Sequence, residues 1–167
     1  VRSSAASDVY KRQVKGVVVN SGIANACVGE QGMIDATEAS NLAAQHVGMS
    51  PEEMSICSTG IIGVELPMAL IRAGIPNIAL SKEGGGAFAR SILTTDRHPK
   101  SVAMRLVIDG TDVTIGGCVK GSGMIHPNMA TMLAFLTSDA AIDPQFMNDG
   151  LKTVVDATFN MVTIDGD

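Results

Sequence analysis

Lys120 and Thr131 are the residues whose types and spacing come nearest to chemistry. The lysine stands among Gly116, Gly117, Gly121 and Gly123, and a threonine eleven residues on opens an apolar, β-type run, Thr131 to Leu136. A lysine on so flexible a loop can approach a carboxylate, and a hydroxyl at the mouth of a strand can serve as a nucleophile. An unassisted threonine hydroxyl is a poor one, because something must take its proton. Ser58-Thr59-Gly60 supplies the donors acyl transfer would need. Glycine lets a backbone N–H come close to a developing oxyanion, and the threonine adds a hydroxyl. Taken by type and spacing alone, the same residues read more readily as a solvated lysine, a polar strand start and an ordinary turn.

The remaining reactive side chains form no constellation. His46 falls on an expected helix, and His98 and His126 fall in loops; Cys27, Cys57 and Cys118 are widely spaced and make no C-x-x-C. No metal site or disulfide frame is expected from them. Lys120-Gly-Ser-Gly123 lacks the Walker spacing of a phosphate loop.

The elements that must position these residues alternate in kind. Lys15–Asn20 is a short β-branched run without polar alternation, which predicts a strand buried on both faces, with Asn20-Ser-Gly22 turning out of it. Helical spacing runs from Asp35 to Val47 and stops at Gly48. Ser50-Pro-Glu-Glu53 has the form of a capping box over a single turn. Met54–Ser58 reads as a strand, Leu66–Ala73 as a helix blocked by Pro76, and Ala87–Leu93 as a helix after a glycine connector. Ser101–Gly117 predicts a hairpin about Asp109-Gly110, its weak polar half implying cover on the second face. Pro144–Phe159 predicts an amphipathic helix capped by Asp143. Paired strands between helices give a mixed α/β or α+β class, without strict Rossmann alternation.

The 167 residues suit one ordinary domain, 46% hydrophobic, aromatic-poor and with 18 glycines. A net charge of −5 provides no basic field for nucleic acid or an anionic membrane. No apolar run reaches membrane-spanning length and no secretory signal is recognisable, so a cytoplasmic protein is expected, organellar if its source is eukaryotic. Residues 1–13 have no periodicity and resemble translated sequencing adapter. The chain stops at Ile164-Asp-Gly-Asp167, immediately after an apparent strand. Both features predict a fragment: an artefactual 1–13 followed by a partial domain, 14–167.

The segment from Lys120 to Ala141, supported by Asn20-Ser-Gly-Ile-Ala-Asn-Ala-Cys27 with Gly29-Glu-Gln-Gly32 and by Ser58–Gly63, resembles the ornithine acetyltransferases, the glutamate N-acetyltransferase family of arginine biosynthesis. The likeness runs from about Lys15 to Asp167. It implies two stacked β-sheets flanked by helices, a self-cleaving sandwich of the N-terminal-nucleophile kind. It further implies cleavage between Ala130 and Thr131, giving an α chain ending at 130 and a β chain starting at 131. By the same likeness Thr131 is the nucleophile, Thr59 and Gly60 form the oxyanion hole, and Thr94, Lys120 and Thr131 bind substrate, with Thr95 the alternative to Thr94. His126 is not assigned as a base, and the Asn20–Cys27 signature is given a structural role in turns at a sheet end.

After cleavage the new α-amino group, with an ordinary pKa of about 7.7–8.0, would stand beside the Thr131 hydroxyl as its own base. The activity implied is movement of acetyl from N2-acetyl-L-ornithine to L-glutamate through an acetyl-threonine. No cofactor is implied, acetyl-CoA is left open as a second acetyl donor, and the partner expected is a second copy, two α and two β chains. A self-cleaving aminopeptidase of related fold would hand the acyl group to water instead. A non-enzymatic reading, an inactive fragment or anion-binding domain, would leave an intact chain without turnover.

Overall fold

In the computed structural model, which describes residues 14–123 and 131–163, β1 (Gly16–Ile23) lies parallel to β2 (Met54–Ile61). Parallel neighbours need a crossover, and α1 (Gly29–Val47) provides it. Helix α1 presents small residues to the sheet: Ala39, Ala43 and Ala44 are all buried. Small side chains let helix and strands approach closely, and Ser40 Oγ donates to the Met54 carbonyl at 2.9 Å. Gly48 ends α1 in the left-handed conformation, φ 70°, where its N–H reaches the Ala44 and Gln45 carbonyls. Ala39, Leu66 and Met68 form a core against which Ile23, Ile56 and Ile71 pack. Helix α2 (Met68–Gly74) is tied to α1 by an Arg72–Glu38 pair with contacts of 2.5 and 2.9 Å.

Gly84 and Gly85 mark the boundary with the second unit. It holds α3 (Gly85–Ser91), a hairpin of β3 (Lys100–Ile108) and β4 (Thr111–Lys120), then β5 (Leu133–Ser138) and α4 (Pro144–Ala157). The three strands are antiparallel in the order β3-β4-β5. Asp109 (φ 49°) and Gly110 (φ 76°) make the hairpin turn with both central residues left-handed, as the twist of a two-residue loop requires. Phe88 of α3 meets Phe135 of β5 edge to face at 5.1 Å, and Ala89 and Ile92 are almost wholly buried. Gly117 gives β5 room, because a Cβ there would lie 2.8 Å from the Phe135 carbonyl oxygen.

The mixed α/β class holds, while several expected boundaries shift. Asn20-Ser-Gly22 does not turn out of β1. It continues the strand, because Ser21 and Gly22 find partners in Thr59 and Gly60. Nor is β1 buried on both faces, Val17 being 39% exposed. Helix α1 starts at Gly29 instead of Asp35, and β2 runs on to Ile61. Helix α2 starts at Met68, and Pro76 lies within a 3-10 turn, Ile75–Asn77, that continues from it. Helix α3 takes Gly85 and Gly86 from the expected connector, and β5 starts two residues after Thr131. Strand β3 is exposed on both faces, Val102 by 65% on one and Val107 by 70% on the other, against the expectation of cover. Pro51–Glu53 forms a single 3-10 turn with both capping-box bonds present. Beyond the 3-10 turn Phe159–Met161, Val162 and Thr163 have no regular structure, so the strand expected there is absent among the described residues.

Helix α4 carries the expected apolar stripe, though Phe146, Met147, Leu151 and Val154 on it are exposed. Its start rests on the Asp143 carboxylate, which accepts the Phe146 N–H at 2.9 Å ahead of Pro144. Asp143→Ala should therefore cost about 1 kcal/mol, read as a lower thermal midpoint with the β3–β4 amides still protected from exchange. An unchanged midpoint would show that the cap contributes nothing to stability.

Candidate functional site

Lys120 is the last residue of β4 and pairs in register with Leu133, the first of β5. The antiparallel return thereby sets Thr131, in a turn just ahead of β5, beside the lysine. Lys120 Nζ donates to the Thr131 carbonyl oxygen at 3.3 Å. Only 3% of Lys120 is exposed, so a chain type that normally keeps its ammonium in water is held inside. Burial pushes its pKa below the ordinary lysine value; nearby Asp96 pulls upward, and Lys100 adds to the fall.

Asp96 accounts for much of the surrounding order. Its side chain has no exposed surface and pairs with the Lys100 ammonium. The same oxygen, Oδ1, accepts the Gly121 N–H at 2.9 Å. Burial alone would raise this carboxyl, yet the Lys100 ammonium and the Gly121 N–H outweigh it and hold the group below its usual value. Thr95 and Ser122 join their hydroxyls at 3.0 Å. The segment before β3 is thus fastened to the loop after β4 at two points. Of the two expected substrate threonines, Thr95 takes part in that fastening, while Thr94 is exposed.

In the first unit, Thr59 and Gly60 lie within β2 and not in the loop after it. Thr59 is buried at 7% exposure opposite Ser21, and Gly60 stands opposite Gly22. The two backbones meet closely there. Gly60 has φ 133°, and a Cβ on it would fall 2.2 Å from the Gly22 carbonyl carbon and oxygen. Only glycine fits. The strand ends are locked by Ala24 N–H to the Ile61 carbonyl at 2.8 Å and Gly63 N–H to the Ala26 carbonyl at 2.9 Å. Asn20 and Asn25 each spend an amide donor on a backbone carbonyl, Ile23 at 2.8 Å and Gly32 at 2.7 Å.

The structure therefore brings Lys120 and Thr131 together and sets Thr59 beside Gly60, while Ala130 and His126 lie outside the described residues. Sequence reasoning included Asp96 and Lys100 in a stretch, Thr94 to Lys100, that resembles the family, but gave neither a role. The available signal was an acid and a base four residues apart flanking a proline, next to two threonines. The thiols offer no competing nucleophile of raised reactivity in the interior, because burial pushes both Cys57 and Cys118 up.

Comparison with known proteins places the chain in a family. The ArgJ family model matches residues 3–167. The arginine biosynthesis bifunctional protein ArgJ of Symbiobacterium thermophilum is 55% identical over 157 residues, covering 93% of this chain and 39% of that protein. Its Bacillus subtilis counterpart is 49% identical over 154 residues, covering 92% of this chain and 38% of that protein. Among solved structures, ArgJ from Bacillus halodurans superposes with a TM-score of 0.65 at 44% identity, covering 68% of this chain and 61% of that one. Ornithine acetyltransferase from Mycobacterium tuberculosis, in complex with ornithine, gives 0.61 at 36% identity, covering 68% and 62%. A mixed α/β chain with these matches is of the ArgJ class, and it belongs to the ArgJ family. It spans about two fifths of the length of the curated relatives it matches.

The Gly60–Gly22 contact can be checked directly. Gly60→Ala should lower stability by about 1–3 kcal/mol, since the added carbon meets backbone that cannot rotate away. Gly110→Ala, in open space at the hairpin turn, is the control for left-handed strain alone. Equal losses in denaturant unfolding would show that the close approach adds nothing.

Proposed function

We propose that the chain serves acetyl transfer from N2-acetyl-L-ornithine to L-glutamate, with Thr131 as the acetyl-carrying nucleophile. The observation carrying this reading is the buried Lys120 ammonium fixed on the Thr131 main chain, in a chain of the ArgJ family whose solved neighbour is an ornithine acetyltransferase holding ornithine. Thr131 would first be freed by cleavage of the Ala130–Thr131 bond. Its hydroxyl attacks the Ala130 carbonyl, the C–N bond breaks as the ester forms and the nitrogen gains a proton, and water then hydrolyses the ester. The α-amine so released stands next to the hydroxyl and can take its proton.

In the transfer itself, acetylornithine gives its acetyl to the Thr131 oxygen and ornithine leaves with the proton. Glutamate's amine then takes the acetyl and restores the hydroxyl. Thr59 and the Gly60 N–H are the donors for the oxyanion of each step, and Lys120 and Thr94 hold substrate carboxylate. Acetyl-CoA is a further acetyl donor compatible with the same intermediate. Two α chains ending at 130 and two β chains starting at 131 would make the assembly.

Labelled acetylornithine incubated with the intact gene product, with and without glutamate, tests the reading. Label should move to glutamate and be trapped on the peptide beginning at Thr131, with parallel initial-rate plots. Release as free acetate at equal rates in both cases would make water the acceptor, and the transferase reading would fall. Thr131→Ala should remain one chain by intact-mass analysis, and a cleaved variant would reject the assigned bond. Thr59→Ala should lower kcat by about 10²–10³, the range for one lost oxyanion donor. Unchanged turnover would return Thr59 to a structural role.

A further inference from the structure

A carboxylate with no exposed surface persists only where ions and hydrogen bonds replace the water it has lost. Asp96 has both, and they come from the two ends of the hairpin. Lys100 opens β3, and the Gly121 N–H follows β4 immediately. Gly121 has φ 142°, a conformation that side-chain-bearing residues rarely adopt. The residue after Lys120 thus holds a conformation that favours glycine, and its amide is the one Asp96 grips. On its other side Lys120 reaches the Thr131 carbonyl.

We propose that Asp96 is a positioning residue, whose carboxylate fixes the Lys120–Gly121 peptide and so holds the Lys120 ammonium on the Thr131 main chain. This rests on the acetyl-transfer reading above for its purpose, though not for its geometry. Among the described residues, the Thr95–Ser122 hydroxyl pair would still restrain the loop without the Asp96 contact. A hydroxyl pair allows more orientations than a buried carboxylate held on an N–H and an ammonium together. Among the described residues, Asp96 and Lys100 face Lys120 with opposite effect. Asp96 therefore also offsets the second lysine, which acts on Lys120 in the opposite direction.

The experiment follows two nuclear magnetic resonance signals of the isotopically labelled protein. Asp96→Ala should speed exchange of the Gly121 amide by about ten- to hundredfold, the loss of one charge-assisted bond, with β3–β4 amides unchanged. Asp96→Asn keeps the size and an acceptor for Gly121 while removing the charge. It should move the Lys120 Cε titration to lower pH, and Asp96→Glu should restore it towards wild type. If Asp96→Ala loses the hairpin, the Asp96→Asn and Asp96→Glu titrations decide alone. Unchanged Gly121 exchange in a folded Asp96→Ala, or an unchanged Lys120 titration in Asp96→Asn, overturns the proposal. Where turnover is measurable, Asp96→Asn should raise KM with kcat little changed. A wild-type protein without acetyl transfer would sink the functional reading and leave both resonance tests in force.

Discussion

A lysine ammonium cannot be taken out of water without partners, and the second unit is arranged around that requirement at Lys120. Four residues are constrained together. Thr131 must lend a carbonyl, Asp96 an opposing charge, Gly121 a backbone that can turn at φ 142°, and Lys100 the cation that keeps the buried carboxylate ionised. Strand register follows the same constraint. Pairing Lys120 with Leu133 is what sets residue 131 within reach. A slip of one residue would send the lysine to the other face of the sheet and separate the two groups. The cation and the register stabilise each other.

The first unit depends on a different constraint, close contact of two backbones. Gly22 and Gly60 lie opposite one another in a parallel pair, both at positive φ. This lets β1 and β2 continue through what would otherwise be two separate turns. Thr59, one residue earlier, is carried into the interior by that extension and buried at 7% exposure. An extended strand with a glycine amide at its end is a sound place for a fixed donor, because packing and not a mobile loop sets the direction of the N–H. The role under that proposal thus depends on the glycine pair as much as on Thr59 itself.

These two constraints also explain what could be read from the sequence. The Asp109-Gly110 hairpin, the Asp143 cap and the Gly48 stop were legible because each is local, specified by residues within one turn of chain. The ends of β1 and β2 were not, since Asn20-Ser-Gly22 has turn chemistry and only its distant partner makes it strand. The start of α1 was hidden similarly. Gly29-Glu-Gln-Gly32 looks like a loop, yet it is the first turn of the helix, and Gly32 is needed there because a Cβ would lie 2.5 Å from both the Asn25 side-chain oxygen and a Val28 methyl carbon. At the site, Lys120 and Thr131 stood out through the resemblance of their segment to the ornithine acetyltransferases, since setting and spacing alone favour a solvated lysine and a polar strand start. Asp96 did not, because a carboxylate in a loop reads as solvated until the fold shows that its side chain has no exposed surface.

The placement of Cys57 and Cys118 bears on why a hydroxyl, and not a thiol, suits the proposed role. A thiol is the stronger nucleophile when ionised, but each of these thiols is pushed up by burial and so holds less thiolate at neutral pH. Cys118 is two residues before Lys120 on β4, and burial alone accounts for the rise of its thiol. Thr131 needs no such lowering. Its proton would go to an amine a few bonds away, made by the same chain break that exposes the hydroxyl, so nucleophile and base would arise together. What the fold has to supply is then only direction, and the bond from Lys120 to the Thr131 carbonyl supplies it by fixing the main chain on which both groups are carried.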